Sequence, residues 1–363
     1  MKKTSLILLL ILAMVFSLAA CGGKAEEEVI PGDPIDAKPG MIEVEPEPEP
    51  VFLNPLTGLE TEKDLTNLRP YAIMINNKKE ALPQLGVSHA DIIYEICAEG
   101  GITRMEALFQ TVEGVGNLGS IRSIRPYYIE IATGYDAVIV HAGGSEEAYA
   151  DLKNWNLVHF DGVRGGSDAK IFWRDEYRKK NAGYEHSLLT SGENILNYIN
   201  STSIRQSHND GYKAPLTFGT ENAARSGKDA REVKVKFSNY KTDLFTYDEA
   251  KDLYMIQGYG KDYVDGNTNE QVGVTNVLVL NTTSKVLDKE GRLRVETTGS
   301  GSGTYFCGGK AVDITWSRNT RNDKFDYKLA NGADLEFMPG KTYICVINPN
   351  VSSMTITVPE AQN

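Results

Sequence analysis

Cysteine and histidine are scarce in this chain, four and five in 363 residues, and their spacing excludes much. There is no Cys-x-x-Cys pair and no His-Glu-x-x-His run, so no zinc or dithiol redox motif is present. The Gly-x-Ser-x-Gly elbow of serine hydrolases is missing too. Positive charge is in deficit: 38 lysines and arginines stand against 49 aspartates and glutamates, a formal net charge of −11. A nucleic-acid binder would show a basic face, so no nucleic-acid partner is expected. No motif calls for a cofactor or a metal.

Long apolar runs are nearly absent as well. The longest, Leu6 to Ala20, follows Lys2 and Lys3 and ends in Leu18-Ala19-Ala20-Cys21. It is short for a membrane span, which needs roughly 20 apolar residues, and small residues before a cysteine mark a cleavage site. Residues 1–20 therefore read as a signal peptide and Cys21 as the lipidation point. This places the protein on the outer face of the cytoplasmic membrane, held by a lipid anchor. From Gly22 to Pro50 there are nine acidic residues, two lysines and a Glu-Pro repeat, too little apolar content to fold. Residues 21–50 are then a lipidated tether, able to reach roughly 90 Å if extended at about 3.1 Å per residue.

Residues 51–363 exceed the common domain size of about 100–150 residues, which favours two domains. Over 51–200, buried-strand runs (Tyr71 to Ile75, Ala90 to Ala98, Ile102 to Gln110, Asp136 to His141) alternate with helix starts at Pro126 and Glu146. That pattern predicts an α/β layering, a sheet with helices on its faces. Residues 201–229 turn polar and rich in Gly, Ser and Asn, a linker or long loop. Residues 230–358 carry alternating runs punctuated by Gly and Asn-Gly, which predict a smaller, mostly antiparallel β domain, so the fold class is α+β or α/β. Gly299 to Gly303 reads as a hairpin connection within it. Cys97 reads as a buried small hydrophobe, and a Cys307–Cys345 disulfide is left open.

The stretch Gly119 to Ser145 gathers Arg122, Arg125, His141 and the turn Gly143-Gly144-Ser145. Pro126 suits a first helical position, which puts Arg122 and Arg125 at a helix start. Ser145 suits the cap of the helix that begins at Glu146. Helix N-termini offer free N–H groups and the positive end of a dipole, and arginine forks match phosphate or carboxylate. Arg104, Arg122, Arg125, His141, Gly143, Gly144 and Ser145 are thus the candidate anion-binding set. The alternative for the same residues is structural: Arg122 and Arg125 paired with Glu95, Glu99 or Glu106, and His141 satisfied at a strand end. A second polar patch, Trp173-Arg174-Asp175 with Arg178 and His186, either converges on that site or is a solvated helix face. Ser-x-x-Lys occurs at Ser167/Lys170 and Ser238/Lys241, without the companion elements that would give it meaning.

Six ordered motifs resemble the YerB-like bacterial lipoproteins, which carry domain of unknown function 3048 and its own C-terminal companion. They are Asn54-Pro-Leu-Thr-Gly-Leu59, Arg69-Pro-Tyr-Ala-Ile-Met-Ile-Asn-Asn77, Ala90-Asp-Ile-Ile-Tyr-Glu95, Glu99-Gly-Gly-Ile-Thr-Arg104, Arg122-Ser-Ile-Arg-Pro-Tyr127 and His141-Ala-Gly-Gly-Ser145. The resemblance spans nearly all of 51–358 and implies a two-domain envelope lipoprotein; it assigns no activity. One stretch departs: where the family tends to have Arg followed by Pro-His-Asn, this chain has Arg178 and then Tyr184-Glu185-His186-Ser187. Two classes of function follow. One is a binding module for an anionic cell-wall polymer or an envelope protein. The other is a hydrolase or transferase on phosphate- or carboxylate-bearing wall material, with His141 as acid/base and Arg104, Arg122 and Arg125 as charge stabilisers.

Overall fold

Largely apolar stretches in the first part of the chain form β1 (Tyr71–Asn76), β2 (Ile92–Cys97), β3 (Thr103–Phe109) and β4 (Val138–His141), and the short His-Phe-Asp segment forms β5 (His159–Asp161). Between them lie α1 (Pro126–Gly134) and α2 (Glu146–Asn154). The second part adds β6 (Glu232–Lys236), β7 (Thr242–Asp248), β8 (Leu253–Gly258), β9 (Asn276–Asn281), β10 (Gly299–Cys307), β11 (Lys310–Arg318), β12 (Thr342–Ile347) and β13 (Ser353–Thr357). These come from a computed structural model that describes residues 51–358; the leader, Cys21 and the tether lie outside the described residues. No helix among those described is long and apolar enough to cross a membrane.

The central feature is an eleven-stranded mixed sheet in which β11, β10, β9, β12, β2, β3, β1, β4 and β5 lie side by side. Strands from both halves of the sequence share it. β12, from the end of the chain, is inserted parallel between β9 and β2, with Tyr343 opposite Val277 on one side and Ile93 on the other. Residues 51–358 accordingly cluster as one compact unit.

Side-chain alternation along these strands builds two cores. Ile73 and Ile75 of β1, Ile93 of β2, Met105 and Ala107 of β3, and Tyr343 and Cys345 of β12 face one way. They meet Val233, Val235, Phe245, Tyr254 and Ile256 of a second, antiparallel sheet, whose order is β8, β7, β6, β13. Ala72, Met74, Tyr94, Leu108 and Ile344 face the other way, onto Tyr128, Ile131 and Ala132 of α1 and onto Ala148 and Leu152 of α2.

The expected α/β layering is therefore realised only in part. Helices cover one face, but a sheet covers the other, and antiparallel neighbours flank the parallel ones. The second half is sheet-rich as expected, yet much of it is built into the first half's sheet. The polar connection after Ser201 is not free of the body: Arg69 N donates to Gln206 O at 2.8 Å, His208 N to Asn67 O at 2.8 Å, and Leu216 and Ala224 are buried. Gly299 to Gly303 is no hairpin connection, because it forms the first half of β10 in register with β11. A Cβ on Gly301 would lie 2.5 Å from Asn281 O and from the Trp316 indole nitrogen. Only glycine lets this strand pass so close. The turn itself is Gly308-Gly309, both at positive φ, as a two-residue hairpin needs. Cys97, Cys307 and Cys345 are all free thiols, so the disulfide left open by the sequence is not formed; Cys97 is only partly buried.

Candidate functional site

The turn after β4 is built around one buried acid. Asp161, at the end of β5, takes the N–H of Gly143 at 2.8 Å and of Val163 at 2.9 Å on Oδ1, and the Tyr149 hydroxyl at 2.6 Å on Oδ2. Burial would raise this carboxyl, but the His141 ring and those donors outweigh it and hold it below its ordinary value. Gly143 has φ +76, which this turn requires. Ser145 caps α2, its Oγ taking the Ala148 N–H at 3.2 Å, and Pro126 opens α1. Both helix starts lie where the sequence put them.

Beyond these strand ends lies an open cavity of about 470 Å³, whose lining includes Gly143, Gly144 and Ser123 at one side and Arg122, Arg164 and Arg174 around it. Arg122 Nη2 meets Glu185 at 2.5 Å. The Arg164 guanidinium sits 4.1 Å from the Tyr149 ring centre and pairs with Glu146 at 2.6 Å. The Arg174 guanidinium stacks 3.5 Å over Tyr184. Three guanidinium groups thus edge a cavity whose lining contains one carboxylate, that of Glu185.

Only part of the candidate set meets here. Arg122, Gly143 and Gly144 line the cavity; Ser145 stays at the helix cap. Arg125 and Arg104 turn instead to Glu99: Arg125 Nε donates to Glu99 Oε1 at 2.6 Å, and Arg104 Nη2 lies 3.0 Å from Glu99 Oε2. Both are largely buried; Arg125 meets Glu99, one of the acids named in its structural alternative, and Arg104 joins the same acid. Burial is the first influence on Arg104 and pushes its guanidinium down to about 10, with Arg125 adding to it. Glu95 and Glu106 pair with none of these arginines.

His141 is fully buried behind the turn. Its Nδ1 is 2.9 Å from Gly143 O and its Nε2 is 3.0 Å from His159 Nδ1. The neutral ring that donates at Nδ1 and accepts at Nε2 satisfies both contacts. Burial pushes its pKa down to about 4, so it is uncharged at neutral pH and has no contact with the cavity. Because its folded value lies below the unfolded one, stability is expected to fall as pH drops from about 6.5 towards 4, by up to about 3 kcal/mol. NMR of the His141 ring should show no titration between pH 5 and 8.

The second polar patch splits. Arg174 converges on the cavity; Arg178 reaches away to Ala81 O at 3.0 Å, and His186 Nδ1 meets Asn76 Nδ2 at 2.8 Å. Sequence reasoning passed over Arg164, although it stands in Gly162-Val-Arg-Gly-Gly166, a glycine-flanked loop of the kind that carries binding residues. Neither Ser-x-x-Lys is a catalytic pair. Ser167 Oγ bonds the Tyr198 hydroxyl at 2.8 Å, and Ser238 Oγ donates to Gly101 O at 2.6 Å. Cys97 lies away from this cavity, its thiol pushed up to about 12, chiefly by burial. Among the described residues no group of three or more His, Cys, Asp or Glu side chains is placed to hold a metal ion.

Comparison with known proteins agrees with this architecture. Residues 56–205 match "Protein of unknown function (DUF3048) N-terminal domain" and residues 233–344 match the corresponding C-terminal domain. The chain is similar to the Bacillus subtilis (strain 168) protein named "Putative lipoprotein YerB", 31% identical over 311 residues, covering 84% of this chain and 88% of that one. It also superposes on the crystal structure of the YerB protein from Bacillus subtilis with a TM-score of 0.73 and 28% identity, covering 84% of this chain and 99% of that one. With both halves matched in order and the fold shared along nearly the whole solved relative, the chain belongs to the DUF3048 family.

Proposed function

We propose that this protein is a lipid-anchored envelope module that binds an anionic group of a cell-wall polymer or of an envelope partner in the cavity edged by Arg122, Arg164 and Arg174. The observation that carries the reading is that cavity itself: three guanidinium groups edge an open space lined on one side by Gly143 and Gly144, where a phosphate or carboxylate finds both charge and room. Its place beyond the ends of the parallel strands β1, β4 and β5 supports the same reading, since ligands in such sheets settle there. Lipidation at Cys21 and the acidic tether would hold the module at the outer face of the membrane. Binding is favoured over catalysis because the acid/base assigned to the enzyme reading, His141, is buried, uncharged and turned to Gly143 and His159.

The test is titration with inorganic phosphate, sulfate and purified wall fragments, followed by the thermal shift of the protein. Arg164→Ala and Arg174→Ala should weaken binding about ten- to hundredfold each, because a charge-assisted contact contributes roughly 1.5–3 kcal/mol. Arg164 is half exposed, so its loss should leave the melting temperature nearly unchanged. Absence of saturable binding by the parent protein, or binding indifferent to both substitutions, would retire this site.

A further inference from the structure

Between the two sheets lies a second polar cluster that the anion-binding cavity does not touch. Glu95 on β2 points toward the second sheet and meets Lys241, just before β7, and Asp243 on the same strand; all three are buried to 1% exposure or less. Lys241 Nζ is 2.6 Å from Asp243 Oδ1 and 3.6 Å from Glu95 Oε1. Glu95 is held on its far side by Asn77 Nδ2, which donates to Oε1 at 2.7 Å, and by the Tyr343 hydroxyl, which donates to Oε2. Asn77 is fixed in turn by Thr103 Oγ1 at 3.0 Å and the Tyr263 hydroxyl at 3.1 Å. The Tyr259 ring lies 4.7 Å from Nζ, and Gly258 closes in so tightly that a Cβ there would stand 3.1 Å from it.

An ammonium and two carboxyl groups sealed from water are costly to keep as ions. Burial would lower the Lys241 ammonium, but Asp243 and Glu95 outweigh it and hold it above its ordinary value, while Nζ and both Asp243 oxygens still lack a well-formed hydrogen bond. Burial first, and the neighbouring Glu95 carboxylate second, push the Asp243 carboxyl well above its usual range. Glu95, with Lys241 beside it, stays below its ordinary value. Of the two acids, Asp243 is therefore the one that favours the proton. A single reaction open to these groups removes both ionic charges and releases the trapped oxygen as water.

We propose that Lys241 and Glu95 condense after folding into an amide, a covalent tie between the two sheets. Asp243 is the relay. It passes its proton to Glu95 and takes one from the Lys241 ammonium, which leaves a neutral amine facing a neutral carboxylic acid. The Nζ lone pair attacks Cδ of Glu95; the oxygen that becomes negative is Oε2, met by the Tyr343 hydroxyl, and Oε1, which lies 3.6 Å from Nζ, is the one that departs as hydroxyl. Asp243 then gives its proton to the departing hydroxyl and recovers one from nitrogen. One C–N bond forms, one C–O bond breaks and one water leaves; no group is oxidised or reduced, and Asp243 ends as it began. The positions match the roles: the acid in contact with nitrogen moves protons, and the acid clamped between two donors is the electrophile.

Peptide mapping of the full chain, extracted from membranes in detergent, denatured and digested with trypsin, decides the matter. The expected product is a branched peptide in which residues 80–104 are joined to residues 237–251, uncut after Lys241, with the summed mass less one water in nearly every molecule. Recovery of unmodified 80–104 together with a 237–241 fragment cut after Lys241 would overturn the proposal. So would a water loss confined to 237–251, which would place the bond on Asp243. Asp243→Asn, which keeps the shape but not the relay, should yield the two peptides unlinked; full linkage in that variant would overturn the role given to Asp243.

Discussion

Residues 51–205, produced without the rest of the chain, are expected to be insoluble or to lack a cooperative melt, although they span one whole matched family region. Without the remainder, β2 loses its neighbour β12 and becomes the sheet's edge, an Ile-Ile-Tyr-Glu-Ile-Cys strand paired only with β3 and open on its other side, which invites aggregation. Removing β12 strips away Tyr343, Ile344, Cys345, Val346 and Ile347, all buried. At about 2 kcal/mol for each, this approaches 10 kcal/mol, on the order of a domain's entire stability. The face formed by Ile73, Ile75, Ile93 and Met105 would also lose the second sheet. Co-production of the two pieces should restore a soluble complex. Limited proteolysis of the intact chain should nick near the exposed residues Asn209 to Gly211 or Lys213 to Ala214, yet the halves should elute together until denatured. Release of two separately stable fragments without denaturant would contradict the shared sheet.

Glu99→Ala is expected to cost about 3–5 kcal/mol, because it strands the partly buried cations of Arg104 and Arg125 at once. Burial would raise the Glu99 carboxyl, but Arg104 and Arg125 outweigh it and hold it below its ordinary value. Its contribution is therefore complete above the unfolded carboxylate value and is lost as pH falls through the lower folded one. Denaturant melts of parent and Glu99→Ala proteins should differ most near neutral pH and converge in acid. Equal stability of the two at neutral pH would show that the two arginines do not depend on this acid. Arg125→Ala, for the same reason, should lower stability without a separate effect on anion affinity, the reverse of Arg164→Ala.

Several features were readable from local chemistry alone. Pro126 and Ser145 marked helix starts because proline at a first helical position and a serine cap act within a single turn. The strands around Tyr71, Ile92 and Thr103 were readable because burial on both faces makes them mostly apolar, with Glu95, Arg104 and Glu106 as the charged exceptions. The turn Gly143-Gly144-Ser145 lies at a strand end, and its two glycines line the cavity while Ser145 caps α2. The partners of charged groups were not readable in this way. Three acids were weighed for Arg122 and Arg125, and neither Arg122's partner, Glu185, nor the relation of Arg164 to Tyr149 was foreseen. Ion pairs join residues distant in sequence, and no periodicity records them. Lys241 was noticed for a chance Ser-x-x-Lys, whereas its neighbours in space are Glu95 and Asp243.

Sequence by itself determined the resemblance, the strand-rich second half, the two helix starts at Pro126 and Ser145 and the scarcity of motif chemistry, since each depends on residue type and near neighbours. Tertiary structure alone decided that β12 returns to the middle of the first half's sheet. A strand buried on both faces carries the same apolar pattern whichever neighbours it pairs with, so composition cannot name them. It also decided that Arg125 and Arg104 serve Glu99 while Arg164 and Arg174 join Arg122, because the direction of a long side chain is set by the packing around it and not by the residues beside it in sequence.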